Sequence, residues 1–219
     1  MNCNYCSGPC IRKGWHKASQ KYQCKSCKKY QRSTYRYQKY DPRTDAQIIT
    51  LNNEELGISS ISRVLKIPKT TIIRKILKLA NQITRPILQE KGQVYEVDEL
   101  HTYISRNEPS CYTYIIYAID RATRKIVDFV VGQRTKENVG RLIDKLLTYS
   151  PSRIYTDRLN VFPSLIPQAI HRTYQYQTNR IERKNLTVRT HLKRLSRKTL
   201  CYSKSSAMLD ASFRLYAWG

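Results

Sequence analysis

Positive charge is concentrated in three stretches of this chain, and their placement limits where an ordinary hydrophobic core can form. Residues 1–40 carry ten Lys or Arg and no acid, residues 58–85 carry seven and no acid, and residues 172–204 carry ten with one acid, Glu182. Residues 86–171 hold ten acids and eleven bases. The sequence therefore predicts basic modules around a nearly neutral folded core.

The charge of the whole chain indicates a polyanionic partner. The 219 residues include 40 Lys or Arg against 16 Asp or Glu, a net charge of +24. A compact domain with this charge repels itself, and a polyanion relieves the repulsion, either a nucleic acid or an anionic membrane surface. No apolar run is long enough to span a membrane, and the polar, cysteine-rich start does not have the pattern of a secretory signal. We therefore expect a cytoplasmic protein that binds nucleic acid and no membrane.

Four cysteines near the start form two Cys-x-x-Cys pairs: Cys3, Cys6, Cys24 and Cys27. The 17 residues between the pairs are typical of a zinc ribbon, in which a hairpin brings both pairs to one tetrahedral Zn²⁺. Disulfides and a redox Cys-x-x-Cys are the alternatives, and Cys10 and His16 are spaced less well as ligands. We predict a structural zinc module over residues 1–40.

Residues 41–85 have the pattern of a short helix, a tight turn at Pro68 and a basic helix. The last of these helices carries four bases on the face opposite its isoleucines: Lys69, Arg74, Lys75 and Lys78. This arrangement is typical of a helix-turn-helix, which places its second helix in the DNA major groove. A plain helical hairpin in a core is the alternative.

The remaining residues alternate between strand and helix patterns. We predict strands over residues 93–104, 112–120, 125–131, 153–157 and 170–176, and amphipathic helices over residues 136–148 and 178–196. This order predicts a mixed α/β sheet whose first three strands are antiparallel and whose faces are covered by helices.

Three acids fall where such a fold brings them to one edge of the sheet. Asp98 lies within the first predicted strand, Asp157 ends the fourth, and Glu182 is on the last helix, one position from its buried stripe. Carboxylates brought together repel one another unless a divalent cation compensates, and Mg²⁺ prefers carboxylate oxygens. We predict that these three acids hold Mg²⁺ or Mn²⁺ at a catalytic site. Glu99 points to the opposite face of its strand by alternation, so we expect it to be structural.

Six segments match a known pattern, and the most specific contains Ile-Glu-Arg-Lys-Asn: residues 97–100, 119–124, 155–157, 178–189, 194–198 and 203–205. In these segments the chain resembles transposases of bacterial insertion sequences of the insertion-sequence-1 type, which are ribonuclease-H-like DDE enzymes. The 24 residues between Asp157 and Glu182 suit that family. His101 stands where a Trp is expected, and Arg158 and Leu159 replace a more usual Gly-Trp.

The resemblance implies a fold and an activity for the whole chain. The fold is a ribonuclease-H-like mixed sheet with flanking helices over residues 86–219, preceded by the zinc ribbon at 1–40 and the helix-turn-helix at 41–85. The activity is binding to the terminal inverted repeats of an element, metal-dependent cleavage of the DNA strand, and strand transfer into target DNA. A homodimer or higher assembly on double-stranded DNA, at the bacterial nucleoid, is expected because two ends are joined.

The bases on and after the last helix are predicted to bind DNA phosphates: Arg183, Lys184, Arg189, Lys193, Arg194, Arg197 and Lys198. In the family that the chain resembles, a base seven residues after the last acid contacts DNA, which corresponds to Arg189. Two other functions stay open: a DNA-binding transcriptional regulator with an inactive scaffold, and a metal-dependent nuclease that cuts without joining. The acids favour an enzyme, because a protein that only binds DNA has no use for Asp98 or Glu182 among so many bases.

Overall fold

The computed structural model describes residues 1–33, 43–87, 91–105, 111–173, 178–197 and 199–219. Spatial contacts divide the chain into two units, Met1–Asp41 and Pro42–Gly219. The boundaries predicted at residues 40 and 85 stay predictions. Within the described ranges, no helix is both long and apolar enough to cross a membrane.

The Met1–Asp41 unit contains a three-stranded antiparallel sheet of β1 (Cys10–His16), β2 (Ser19–Cys24) and β3 (Tyr30–Arg32). Among its described residues, the buried hydrophobic side chains are those of Cys3 and Cys24. The buried amide of Gln31 accepts a hydrogen bond from the Asn4 N–H at 2.7 Å and donates one to the Asn2 carbonyl at 2.8 Å. So small an apolar core means that this unit needs another source of stability.

The second unit begins with three helices, α1 (Arg43–Asn53), α2 (Ile58–Leu65) and α3 (Lys69–Gln82). α2 ends because Lys66 adopts the left-handed conformation, with a φ of 55°, and Pro68 directly precedes α3. One buried isoleucine from each helix meets in a common core: Ile48, Ile61 and Ile72. The three helices therefore pack through one apolar face each, as their helical spacing predicts.

A five-stranded mixed sheet follows, made of β4 (Val94–Tyr103), β5 (Tyr112–Asp120), β6 (Ile126–Gly132), β7 (Arg153–Tyr155) and β8 (His171–Arg172). The strand order is β6-β5-β4-β7-β8, with β4, β5 and β6 antiparallel and β7 and β8 parallel to β4. The predicted mixed α/β sheet is thus confirmed. Of the strand predicted over 170–176, residues 174–177 lie outside the described residues.

Three further helices cover the sheet: α4 (Lys136–Leu147), α5 (Asn179–His191) and α6 (Ser206–Trp218). α4 packs on one face against Val97 and Ile116, whereas α5 and α6 pack on the other against Leu100 and Tyr117. Because side chains alternate along a strand, β4 and β5 supply apolar residues to both layers. The sheet is therefore buried on both faces.

The end of α5 and the whole of α6 differ from the sequence expectation. α5 stops at His191, because Leu192 is extended with φ −107° and ψ 98°, and a 3₁₀ turn at Lys193–Leu195 follows. α6 was not predicted, since it is apolar on two sides. Phe213 packs on the sheet and Leu215 packs on α1–α3, which leaves no single amphipathic stripe in the sequence.

Candidate active site and cysteine cluster

The short β7 strand leaves one edge of β4 free. β7 pairs with β4 only from Val94 to Glu96, where Glu96 lies opposite Tyr155. Asp157 follows two residues later, so the parallel register carries it alongside Asp98. One carboxylate oxygen from each of Asp98, Glu99 and Asp157 lies within 4.8 Å of the other two. The structure therefore brings Asp98 and Asp157 together at this edge.

Glu99 joins this cluster although strand alternation places it on the face opposite Asp98. On the β7 side of β4, no described strand pairs with this part once β7 has ended, so side chains from both faces can approach Asp157 around that edge. The Oε1 atom of Glu99 is buried and has no hydrogen-bond partner among the described residues. A buried carboxylate oxygen without a partner is costly, which makes Glu99 the least satisfied member of the cluster.

Burial and mutual repulsion raise the pKa values of Asp98 and Glu99. Burial raises the pKa of Asp98 to about 6, and the charges of Asp157 and Glu182 add to the rise, although the Glu99 N–H opposes it. Burial also raises the pKa of Glu99 to about 7, with the charges of Asp157 and Asp98 adding. Three acids held this closely favour a bound cation or a shared proton.

A hydrogen-bonded chain from α5 orients Asp98. The Tyr117 hydroxyl donates to Asn185 Oδ1 at 2.7 Å, and Asn185 Nδ2 donates to Asp98 Oδ2 at 2.7 Å. The Glu99 N–H donates to the other oxygen, Oδ1, also at 2.7 Å. Both Asp98 oxygens therefore accept a hydrogen bond, one from α5 and one from β4. Sequence reasoning did not single out Asn185, although it belongs to the Ile-Glu-Arg-Lys-Asn segment.

Glu182 lies close to this cluster but not within it. Its side chain is exposed, and its Oε1 accepts a hydrogen bond from Thr178 Oγ1 at 2.9 Å. It stands one helical turn before Asn185, and its charge contributes to the raised pKa of Asp98. The structure thus holds Glu182 near the free edge of β4 while its carboxylate faces solvent.

The start of α5 is fastened to β4 by a fully buried carboxylate, Glu96. Glu96 Oε2 accepts a hydrogen bond from the Ile181 N–H at 3.0 Å. Its Oε1 lies 3.1 Å from Nε of Arg121 and 3.7 Å from Nη1 of Arg180. This contact holds the first turn of α5, and with it Glu182, against the sheet.

The segment after β7 is held by short polar contacts. Asp157 Oδ1 accepts a hydrogen bond from the Leu159 N–H at 3.0 Å. The buried hydroxyl of Thr156 lies 2.8 Å from the Asp157 carbonyl oxygen and 2.8 Å from Nε2 of His171 on β8. Asp157 therefore lies in a segment after β7 that hydrogen bonds hold in place, partly through His171 of β8.

Two of the bases that we expected to contact DNA are bound within the protein. Arg189 donates to the carbonyls of Leu195 at 2.6 Å and His101 at 2.9 Å. Arg194 is only 6% exposed and donates to the Ser203 hydroxyl at 3.0 Å, and burial lowers its pKa to about 10. Both side chains therefore join the turn after α5 to neighbouring segments.

Five of the other predicted DNA-contacting bases are exposed. On and after α5, Arg183 and Arg197 are exposed, Lys184 is half-buried, and Lys193 pairs with Glu55 at 3.0 Å. On α3, three bases are exposed, namely Lys69, Arg74 and Lys78. Lys75 is partly buried and forms an ion pair with Asp45 of α1. Lys198 lies outside the described residues.

In the first unit, the sulfur atoms of Cys3, Cys6, Cys24 and Cys27 lie within 4.8 Å of one another. The Sγ atoms are 3.5 Å apart in the Cys3–Cys27 pair and 3.5 Å apart in the Cys6–Cys24 pair. A tetrahedral ion with bonds of about 2.3 Å to sulfur separates its ligands by roughly 3.8 Å. The N–H of Cys27 lowers the pKa of Cys24 to about 6, which favours the thiolate of Cys24. For Cys27, the Lys29 N–H lowers the pKa, but burial and the neighbouring thiols outweigh it and raise the pKa to about 12. Cys10 is not part of this cluster.

Residues 93–216 match the protein family described as IS1 transposase. The chain belongs to the IS1 transposase family. The match runs from β4 through most of α6 and so includes Asp98, Asp157 and Glu182. The cysteine cluster and α1–α3 lie outside the segment that matches this family.

Curated members of the IS1 transposase family are similar over the same region. The chain is 36% identical over 115 residues to Insertion element IS1 4 protein InsB of Escherichia coli, covering 52% of this chain and 68% of that protein. It is 36% identical over 115 residues to Insertion element IS1 protein InsB of Shigella flexneri, covering 86% of that protein.

A solved structure of a simian T-cell lymphotropic virus intasome, in complex with a PP2A regulatory subunit, aligns with 64% of this chain and 57% of its own. Its TM-score of 0.35 and sequence identity of 14% are too low to support an argument about this protein.

Proposed function

We propose that this chain is a DDE transposase that cuts DNA at the ends of an insertion element and joins those ends to target DNA. The observation that carries the proposal is the meeting of the Asp98 and Asp157 carboxylates at one sheet edge, within the segment matching the IS1 transposase family. Phosphoryl transfer needs such a centre, because its main demands are positioning and neutralisation of charge.

The sheet topology supports a ribonuclease-H-like fold. Three antiparallel strands followed by two parallel ones, in the order β6-β5-β4-β7-β8, with helices on both faces, are what that fold requires. Its active site lies on the central strand, beside the end of the parallel neighbouring strand. Asp98 and Asp157 occupy that place on β4 and after β7.

We infer that Asp98, Asp157 and Glu182 are the ligands of a divalent cation. The donor set fits Mg²⁺ or Mn²⁺, because it consists of carboxylate oxygens. The buried, unpartnered Oε1 of Glu99 lies close to Asp98 and Asp157 and also favours a cation there. When bound, Mg²⁺ or Mn²⁺ would activate the attacking oxygen and stabilise the leaving oxygen. The protein orients Asp98 through Asn185 and holds Glu182 at the edge through the anchored start of α5.

The DNA-recognition role falls to the segments before the sheet. The short α2, the turn at Lys66–Pro68 and the longer α3 support a helix-turn-helix, with Lys69, Arg74 and Lys78 exposed for DNA. We assign the element's terminal inverted repeats to this module.

We further propose that the four clustered cysteines hold a structural Zn²⁺. Four thiolates leave no open position on the ion, so this zinc would stabilise the module and take no part in the reaction.

The bases near α5 would contact DNA backbone phosphates: Arg183, Lys184, Lys193 and Arg197. Joining two element ends requires two such sites, so a homodimer or higher assembly on DNA at the bacterial nucleoid belongs to the proposal.

The decisive experiment compares wild type with Asp157→Asn on duplex DNA that carries the element's own inverted repeats, with Mg²⁺ or Mn²⁺ present. We expect cleavage and strand transfer to fall by at least about 100-fold, as when a group that stabilises charge in the transition state is lost. DNA affinity should be unchanged, and Asp144→Asn, an exposed position on α4, is the matched control.

The outcomes separate the proposal from its alternatives. Equal cleavage by wild type and Asp157→Asn would reject the site. Cleavage without strand transfer by wild type would indicate a nuclease, and specific binding without metal-dependent cleavage would indicate a regulator.

A further inference from the structure

A second basic feature lies on the side of α5 turned away from Asp98. It is a cleft of about 400 Å³ between α5 and the turn that joins β5 to β6, lined by Arg124, Asn179, Arg180, Arg183, Lys184 and Thr187. Four of the six lining residues are basic and none is acidic. Arg183 and Lys184 are already expected to contact DNA, but Arg124 and Arg180 come to this place only through the fold.

The cleft is separate from the proposed catalytic centre. Glu182, Asn185 and Arg189 are three or four residues apart and form one stripe of α5, whose Asn185 touches Asp98. Arg180, Arg183 or Lys184, and Thr187 repeat with the same spacing and form another stripe, which lines the cleft. One helix therefore presents two different functional faces.

Three of the four charges in the cleft have no carboxylate partner among the described residues. Among the described residues, no carboxylate forms an ion pair with Arg124, Arg183 or Lys184, and Arg180 shares Glu96 with Arg121. Burial lowers the pKa of Lys184, which is the cost of holding an ammonium group away from water. Four like charges around one concave space repel one another, and an anion in that space removes the repulsion.

Nucleic acid fits this cleft better than a protein partner does. A second copy of the chain offers few acidic side chains, since it has 16 acids against 40 bases. A single small anion would fill only part of a cavity whose size suits ligands of several hundred Å³. Arginine side chains bind phosphate oxygens in pairs, and successive phosphates of a strand can engage several of them.

We propose that this cleft binds backbone phosphates of a DNA segment other than the one held between Asp98 and Asp157. The inference rests on the proposed function, because a transposase must hold element DNA and target DNA at once. It assigns Arg124, on the β5–β6 turn, as a phosphate contact outside the catalytic edge.

Arg124→Asn is the most informative variant. Arg124 has a φ of 59°, a left-handed conformation that Asn tolerates, so the turn keeps its shape while the charge is lost. Arg141→Gln, at an exposed position on α4, removes the same charge elsewhere and is the matched control. Both changes are made in Asp157→Asn protein without Mg²⁺ or Mn²⁺, so that binding is measured without chemistry.

The measurement is the salt dependence of duplex DNA binding by fluorescence anisotropy between about 50 and 200 mM salt. We expect Arg124→Asn to lower the slope of log affinity against log salt by about 1, and Arg141→Gln to leave it unchanged. Equal slopes for Arg124→Asn and its parent would overturn the inference.

Two further readouts identify a wrong ligand. If millimolar inorganic phosphate raises the melting temperature of the parent but not of Arg124→Asn, while the DNA slopes are equal, the cleft takes a small anion and the inference fails. If Arg124→Asn changes only self-association in sedimentation, the partner is protein and the inference also fails. Failure of the proposed function would appear elsewhere, as normal cleavage by Asp157→Asn.

Discussion

Asn185 sits between two side chains that give its amide a single useful orientation. The Tyr117 hydroxyl, buried with the sheet, donates to Oδ1, so Nδ2 is the group left to donate to Asp98. Reversing the amide would turn Oδ1 towards the Asp98 carboxylate and lose the bond to Asp98. In this way α5 sets the direction of the Asp98 carboxylate, which the backbone of β4 alone does not determine.

Replacing Asn185 with Ala should therefore weaken the binding of Mg²⁺ at the proposed site without unfolding the chain. We expect the Mg²⁺ concentration for half-maximal cleavage to rise by about 10–100-fold, the usual effect of losing a group that orients a metal ligand. The measurement is the initial cleavage rate across a Mg²⁺ titration, with circular dichroism to confirm folding.

Tyr117→Phe is the companion variant, because it frees the amide but keeps the Asn185–Asp98 contact. It should give a smaller change in the same direction. An Asn185→Ala protein with the metal dependence of wild type would show that the contact is only structural.

Glu99 makes stability depend on pH when no Mg²⁺ is present. Its pKa rises from an ordinary 4.5 to about 7 on folding, so the folded chain holds a proton that the unfolded chain releases between these values. Stability should therefore fall as pH rises through that window. Allowing for partial exposure, we expect an effect on the order of 1 kcal/mol, or about 2–4 °C in melting temperature.

The measurement is thermal unfolding at about pH 5 and about pH 8, in buffer free of added Mg²⁺. Glu99→Gln should flatten the decline, whereas Glu137→Gln, exposed on α4, should follow wild type. A Glu99→Gln protein that declines as steeply as wild type would contradict the repulsion described for this cluster.

For single residues, the sequence predicted the position of a side chain where strand geometry alone determines it. Asp98 and Asp157 could be expected at one edge of the sheet, because one lies within a predicted strand and the other ends a second strand of the same sheet. Strand alternation placed Glu99 on the face opposite Asp98, so it was expected to be structural. Alternation takes no account of the length of the neighbouring strand, and β7 ends too early to separate the Glu99 side chain from Asp157. The internal bonds of Arg189 and Arg194 depend on tertiary contacts to residues 101 and 203, which no local pattern reveals.

At the scale of elements, α5 and α6 show why some helices are predictable and others are not. The apolar stripe of α5, with Ile181 and Val188, was visible in the sequence, but its end was not, since Leu192 continues the apolar pattern while leaving helical geometry. α6 is buried between the sheet and α1–α3, so its apolar residues point both ways. Amphipathic periodicity identifies helices that have one solvent-exposed face and misses helices that are buried on two sides.

At the scale of the whole molecule, the two units differ in what holds them together. The second unit has large apolar cores, whereas the described part of the first buries little beyond Cys3, Cys24 and Gln31. Metal binding can supply about 10–16 kcal/mol to such a small unit. We therefore expect purified protein to contain one zinc per chain.

Cys24→Ser should abolish the zinc, whereas Cys10→Ser should retain it, because Cys10 lies outside the four-sulfur cluster. Plasma mass spectrometry measures the metal, and limited proteolysis reports whether residues 1–33 remain folded. A zinc-free wild type that resists proteolysis in that segment would refute the assignment, and zinc loss in Cys10→Ser would show that the ligand set is different.

The position of α6 fixes the distance between the proposed DNA-reading helix and the sheet. Through Leu215 this helix packs on α1–α3, and through Phe213 it packs on the sheet that carries Asp98, so both parts share one rigid support. If α3 reads DNA as proposed, this support sets a fixed spacing along the DNA between the recognised bases and the scissile bond. Each base pair inserted between them would displace that bond by about 3.4 Å and rotate it around the duplex, out of reach of the carboxylates.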